Sequence, residues 1–244
     1  MAAISLADKR VLITGASGGV GRALSRRLVE MGARLFLTDR HEGPLGELAQ
    51  QLGRGTAWAG GDLARPETVS EVFTKVDREL GGLDLLVACA GIGSEPLMNF
   101  HDESWRDVID SNLVSYVACT RAAVDRLRRA ERGTASVILL GSISVHIKAI
   151  GESVYNAAKG GVASFAETLR KELIADEIRV TLIEPGAIGT TMQPFDEPER
   201  NRQISAHKLL PPEEVAEAVI FAATRPVGVD CVTLRIEPMD QKIW

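Results

Sequence analysis

Two residues four apart, Tyr155 and Lys159 in the run YNAAK, carry the most chemistry this sequence offers. On a helix that spacing puts both side chains on one face, within reach of each other. A free tyrosine titrates near ~10 and moves a proton poorly at neutral pH. A neighbouring ammonium favours the phenolate and brings that ionisation toward the range where reversible proton transfer is fast. Such a pair arises by chance in many chains, so it needs company. Ser142 supplies it, 13 residues upstream at the end of the apolar run ASVILL. A hydroxyl at the carboxyl end of a strand lies where α/β sheets place their ligands, and there it can hydrogen-bond a carbonyl or alcohol oxygen.

A second constellation sits near the amino terminus, where an apolar strand runs into TGASGGVG, residues 14–21, and then a helical pattern. Glycines let the backbone turn tightly and approach a pyrophosphate, whose charge meets the amides and positive dipole of the helix start. Alone, such a turn is a weak signal. Here Asp39 closes the next strand, 20 residues after Gly19, and an acid at that position accepts hydrogen bonds from adenosine ribose hydroxyls. The pattern predicts dinucleotide binding.

The elements that must position these residues alternate from end to end. Strands are expected at Arg10–Thr14, Arg34–Thr38, Thr56–Ala59, Leu83–Ala88, Ala135–Leu140, Arg179–Ile183 and Cys231–Ile236. Helices are expected at Val20–Met31, Pro66–Leu80, Ser104–Ala130, Ser153–Ala175 and Pro212–Thr224. Most strand runs are apolar at consecutive positions, as in parallel strands covered on both faces. The expected fold is therefore α/β: a Rossmann-like, doubly wound, seven-stranded parallel sheet with helices on both faces, in one domain over 1–244. Gly189–Leu210 breaks the rhythm with Pro194, Pro198 and mixed charges. A connection that long at the carboxyl edge of the sheet reads as a substrate lid.

The spacing Gly15, Gly19, Gly21 is TGxxxGxG, and with YxxxK the sequence resembles the short-chain dehydrogenases/reductases over nearly its whole length. The resemblance implies a nicotinamide-dependent oxidoreductase acting on an alcohol or carbonyl, with Asn112, Ser142, Tyr155 and Lys159 catalytic. Asn112, in IDSNLVSYV, matches the asparagine that helps hold a proton-relaying water in that family. It also implies cofactor contacts from Gly15, Ser17, Gly19, Val20, Gly21, Asp39, Arg40, Asp62, Leu63, Ala90 and Gly91. Further contacts fall to Tyr155, Lys159, Pro185, Gly186, Ile188 and Thr190, with Thr190 or Thr191 meeting the carboxamide. Asp39 favours NAD, whereas the following Arg40 could grip the extra phosphate of NADP; the acid at the strand end carries more weight. The family pairs through helices corresponding to Ser104–Ala130 and Ser153–Ala175, so a homodimer or homotetramer is expected.

Two departures stand out. The family's NNAG segment reads ACAG, with Ala88 and Cys89 replacing two asparagines that mainly support the sheet. The C-terminal run CVTLRIEPMDQKIW lacks the frequent glycine-rich ending. Two other functions compete: a cofactor-binding redox sensor without turnover, and an epimerase or dehydratase of the same superfamily. The first does not require the full catalytic set, and the second usually carries TGxxGxxG and a larger substrate domain.

Composition bounds the rest. The 244 residues carry a net charge of −5 without a basic block, which argues against nucleic acid or anionic membrane as partner. Cys89, Cys119 and Cys231 are scattered, and the four histidines show no ligand spacing, so neither a disulfide framework nor a metal site is expected. The amino-terminal apolar run is too short for a signal peptide or membrane span, and the cytoplasm is the expected location.

Overall fold

Consecutive apolar residues are fully buried in a strand only if helices cover both of its faces. A computed structural model describes residues 2–53 and 55–241, and in it this condition is met. The strands are β1 (Arg10–Thr14), β2 (Arg34–Asp39), β3 (Thr56–Gly60), β4 (Leu85–Ala88), β5 (Ser136–Leu140), β6 (Arg179–Pro185) and β7 (Thr233–Ile236). They form one parallel sheet in the order β3-β2-β1-β4-β5-β6-β7. Each expected strand is present, with ends shifted by a residue or two. Residues 242–244, at the end of the C-terminal run read in the sequence, lie outside the described residues.

Side chains alternate across the sheet and build two cores. Leu12, Leu86, Val137 and Leu139 face α3 (Pro66–Leu80), α5 (Ser115–Leu127) and α7 (Ser153–Glu172). Val11, Ile13, Val87 and Ile138 face α1 (Gly19–Glu30), α2 (Glu42–Leu52) and α9 (Pro212–Ala223). The chain reverses its winding direction between β1 and β4, which opens a crevice at their carboxyl ends.

Several helical features differ from the sequence expectation. Ser104–Ala130 is not one helix: α4 (Trp105–Ile109) passes through a π turn at Asp110–Val114 into α5. The reason is local. Asn112 Nδ2 donates 2.9 Å to Val108 O, so the side-chain amide competes for the carbonyl that the regular helix would use. Helix α7 stops at Glu172, short of Ala175, and a 3₁₀ turn follows at Ile174–Asp176. The helix α2 was hidden by Gly43, Pro44 and Gly46, although a proline in the first turn costs little. A short α6 (Ser144–Ile147) follows Ser142.

The Gly189–Leu210 excursion also contains order. Asp196 caps α8 (Glu197–Ser205) by accepting from Glu199 N at 2.9 Å, and Pro198 sits in the first turn. No residue of α8 is buried. Its ends meet: Gly189 N donates to Leu210 O at 2.9 Å and Leu210 N to Ala187 O at 2.8 Å.

Candidate active site

The turn after β1 is built from close approaches that only glycine permits. Gly15 has φ +64°, and a Cβ there would come 2.6 Å from Ala90 Cα. The turn thus lies directly against the end of β4. Thr14 Oγ1 accepts from Cys89 N and Ala90 N, both at 3.2 Å, and the Cys89 thiol donates 2.8 Å to Thr14 O. These bonds join the two central strands where the asparagines of the resembling family would stand. Burial pushes the Cys89 thiol up to about 12, so it serves as a hydrogen-bond donor and not as a thiolate.

A dinucleotide fits this turn. A Cβ on Gly19 would meet Thr190 Cγ2 at 2.5 Å, and one on Gly21 would collide with Gly15 O and Ala16, so the backbone is bare where a pyrophosphate approaches. Val20 is buried beneath it in the core. The carboxylate of Asp39 lies beside the turn, accepting from Ser17 N at 3.0 Å and His41 N at 3.3 Å. Arg40 turns across the crevice to Ser111 Oγ, on the π turn. Asp62 Oδ1 accepts from Ala64 N at 3.0 Å, closing its own turn, while Leu63 is buried in the core.

The residues expected to be catalytic meet at the carboxyl ends of β4 and β5. Ser142 follows β5, and its Oγ accepts from Ser144 N at 3.1 Å. Accepting that bond leaves its own proton free to donate and a second lone pair to accept. Tyr155 stands in the first turn of α7. Burial raises its hydroxyl above the usual range, a hydrogen bond with Ser142 opposes this, and Glu152 adds to the rise.

Lys159 is buried one turn on, and its environment departs from the simplest reading of the YxxxK pair. Its Nζ donates 2.9 Å to Leu140 O and 3.1 Å to Tyr116 Oη, and lies 5.9 Å from the centre of the Tyr155 ring. Burial lowers this ammonium to about 7. Desolvation of Tyr155, and not the lysine's charge, dominates the tyrosine's titration in this state.

Asn112 completes the cluster. Its Nδ2 donates to Ile92 O and Val108 O, both at 2.9 Å, and its buried Oδ1 has no hydrogen-bond partner among the described residues. Gly91 lies between Asn112 and Lys159: a Cβ there would stand 2.5 Å from Asn112 Oδ1 and 3.7 Å from Lys159 Nζ. An orphaned acceptor in such a place suits a bridging water or ligand hydroxyl.

The β6 end frames the far side. Pro185 O accepts from Ile143 N at 3.0 Å, Gly186 N donates to Ile236 O at 2.7 Å, and Ile188 bridges to Leu210. Thr190 lies on Gly19, while Thr191 is exposed. Sequence reasoning missed two residues. Tyr116 lies one turn after Asn112 on the same helical face, a spacing that would have found it. Glu184 is a buried acid inside an apolar strand, paired at 2.9 Å with His146 Nε2. Such an acidic residue in a strand covered on both faces is itself a signal.

The family comparison agrees with this geometry. The short chain dehydrogenase family model matches residues 9–201. The chain is 32% identical over 238 residues to the NADP-dependent 3-hydroxy acid dehydrogenase YdfG of Shigella flexneri, covering 95% of each. It is 30% identical over 226 residues to the 3-oxoacyl-[acyl-carrier-protein] reductase FabG of Vibrio cholerae, covering 91% of this chain and 92% of the relative. The crystal structure of a 3-ketoacyl-(acyl-carrier-protein) reductase from Brucella melitensis, complexed with NADH, superposes with a TM-score of 0.86 at 25% identity. It covers 96% of this chain and 99% of that one.

The chain belongs to the short-chain dehydrogenase/reductase family. It is a nicotinamide-dependent oxidoreductase.

Proposed function

We propose that the chain interconverts an alcohol and a carbonyl with Tyr155 as acid/base, in one catalytic unit spanning 1–244. The observation that carries this is the convergence of Ser142, Tyr155 and Lys159 at the mouth of the crevice, with Asn112 behind them. A bound nicotinamide supplies or accepts the hydride, and the protein must move the proton. The Ser142 hydroxyl donates to the substrate oxygen, and Tyr155 Oη gives it a proton in reduction or takes one in oxidation. Lys159, held near neutrality by burial, can recharge Tyr155 by way of the space bounded by Asn112 Oδ1.

Cofactor contacts are assigned to Gly15, Ser17, Gly19, Val20, Gly21, Asp39, Arg40, Asp62, Leu63, Ala90, Gly91, Tyr155, Lys159, Pro185, Gly186, Ile188 and Thr190. NAD is favoured over NADP. The relatives named above include one called NADP-dependent and one bound to NADH, so the choice rests on this chain's own residues. Asp39 is fixed at the strand end by Ser17 N, where it repels a ribose phosphate, and the Arg40 guanidinium is engaged by Ser111.

The substrate carries an apolar body. Ile92, Leu97, Met98, Ile150, Met192 and Phe195 stand exposed on segments that follow β4, β5 and β6, with Met98 at 90% and Ile150 at 103%. These segments touch, since Gly93 faces Met192 and Gly151 faces Pro96. So much exposed apolar surface at one mouth suits an apolar ligand.

A homodimer or homotetramer through α5 and α7 is proposed, supported by exposed Val114 and Val117, and a monomer by light scattering at micromolar concentration would contradict it. A cytoplasmic location is supported by the three unpaired cysteines.

The test of the acid/base assignment is Tyr155→Phe. Turnover should fall ~10²–10⁴-fold with cofactor binding nearly intact. Turnover within a few-fold of the parent overturns it.

A further inference from the structure

Lys159 is held from behind by a residue that the acid/base chemistry has not yet used. Tyr116, on α5, is almost wholly buried and lies under α7. Its Oη accepts from Lys159 Nζ at 3.1 Å, and the same Nζ stands 4.7 Å from the centre of its ring. Leu140 O, at the end of β5, accepts the second N–H at 2.9 Å. An ammonium has three donors. With two fixed on Tyr116 and Leu140, the third has a defined direction.

We infer that Tyr116 is a positioning residue for Lys159, holding the ammonium by its phenol oxygen and ring face so that Lys159 stays charged and aimed at the proton-transfer site. The inference rests on the reading of Lys159 as part of the catalytic set. Burial drives a lysine toward its neutral form, and a hydroxyl acceptor and a π face both favour the charged form. Tyr116 thus works against the desolvation that α7 and the sheet impose. The ordinary role for a buried tyrosine is core packing, with any nearby donor satisfying its hydroxyl. That role needs neither the ring under Nζ nor a choice of the lysine as donor.

The titratable groups facing Lys159 are Tyr155 on its own helix, Tyr116 on α5 and Cys89 after β4. Asp39 acts on Cys89 and Glu152 on Tyr155. Cys89 and Tyr116 are both driven toward their neutral forms by burial, so neither supplies a counter-charge near neutral pH. Lys159 therefore depends on neutral oxygens and the ring for what stabilises its charge.

The experiment compares the parent with Tyr116→Phe, which keeps the ring and removes only the oxygen. The first readout is the pH titration of the Lys159 Cε resonance in the cofactor-free protein, assigned by its loss in Lys159→Met. Losing a charge-assisted acceptor should lower the Lys159 pKa by roughly 0.5–1 unit. The second readout is the pH profile of kcat for alcohol oxidation. In the proposed catalytic complex, where Lys159 recharges Tyr155, a weaker ammonium supports the phenolate less, so the acidic limb should move to higher pH and kcat near neutrality should fall roughly 3–10-fold. In the Lys159→Met background the same substitution should cost almost nothing further.

An unchanged Lys159 titration, or an equal loss in the Lys159→Met background, overturns the inference. So does a fall in thermal stability with an unmoved pH profile, the mark of packing alone. The titration needs no turnover, so it stands or falls apart from the Tyr155→Phe result.

Discussion

Asp39 Oδ2 accepts a hydrogen bond from Ser17 N at 3.0 Å, tying the end of β2 to the glycine turn. The bond fixes a carboxylate where an adenosine ribose would lie, and it leaves Oδ1 with only a long contact from His41 N at 3.3 Å. Oδ1 is thus available to a ribose hydroxyl. The guanidinium of Arg40, which could grip the extra phosphate of NADP, is drawn to Ser111.

The kcat/KM ratio for NAD over NADP should therefore favour NAD in the parent and shift toward NADP in Asp39→Ala, where repulsion of the extra phosphate is gone. A parent that prefers NADP, or a ratio that stays put in the variant, would show that Asp39 does not set the choice.

Gly91→Ala should damage turnover more than folding. The new methyl would meet Asn112 Oδ1 at 2.5 Å, and the Asn112 amide is pinned by two 2.9 Å bonds and cannot simply swing aside. Displacing such a group by about an ångström costs up to ~10²-fold in rate, while modest overpacking costs about 1–3 kcal/mol of stability. The measurements are kcat and the urea midpoint. Full activity in a stable Gly91→Ala would mean that the Asn112 position is unimportant.

Gly189–Leu210 should exchange its amides rapidly in the ligand-free protein and slow down when cofactor and substrate bind together. Helix α8 buries no residue, and the segment is held by the Gly189–Leu210 bond that joins its ends and by Ile204 of α8 over Gly189. Equal, strong protection in both states would exclude a lid.

Lys159 makes stability depend on pH. Its folded pKa is about 7, lowered by burial from 10.5, so between those values the unfolded chain binds the proton and the folded chain does not. Stability from this group therefore rises with pH across that window, by at most about 1.4 kcal/mol per unit, and is flat below pH 7. The stability of Lys159→Met relative to the parent should fall steadily from pH 7 to pH 10. A difference in urea-unfolding free energy that is constant over that range would mean that Lys159 titrates alike in both states.

Local pattern was enough for much of this protein. Consecutive apolar runs revealed most of the strands, because burial on both faces favours apolar side chains at successive positions. TGxxxGxG and YxxxK could be read because a tight turn and an i, i+4 helical pair are set by neighbours in the chain. Asn112 was legible too, and even its distortion of the helix follows from its side chain competing for Val108 O. What only the tertiary structure decided are the pairings of distant segments. Tyr116 meets Lys159 across 43 residues, Arg40 meets Ser111 across 71, and His146 meets Glu184 across 38. No period or motif encodes these contacts. They exist because the doubly wound sheet stacks α5 and α7 on one face and brings the ends of β2, β4, β5 and β6 to a single edge. There burial, not sequence spacing, sets the charge of the lysine that the motif revealed.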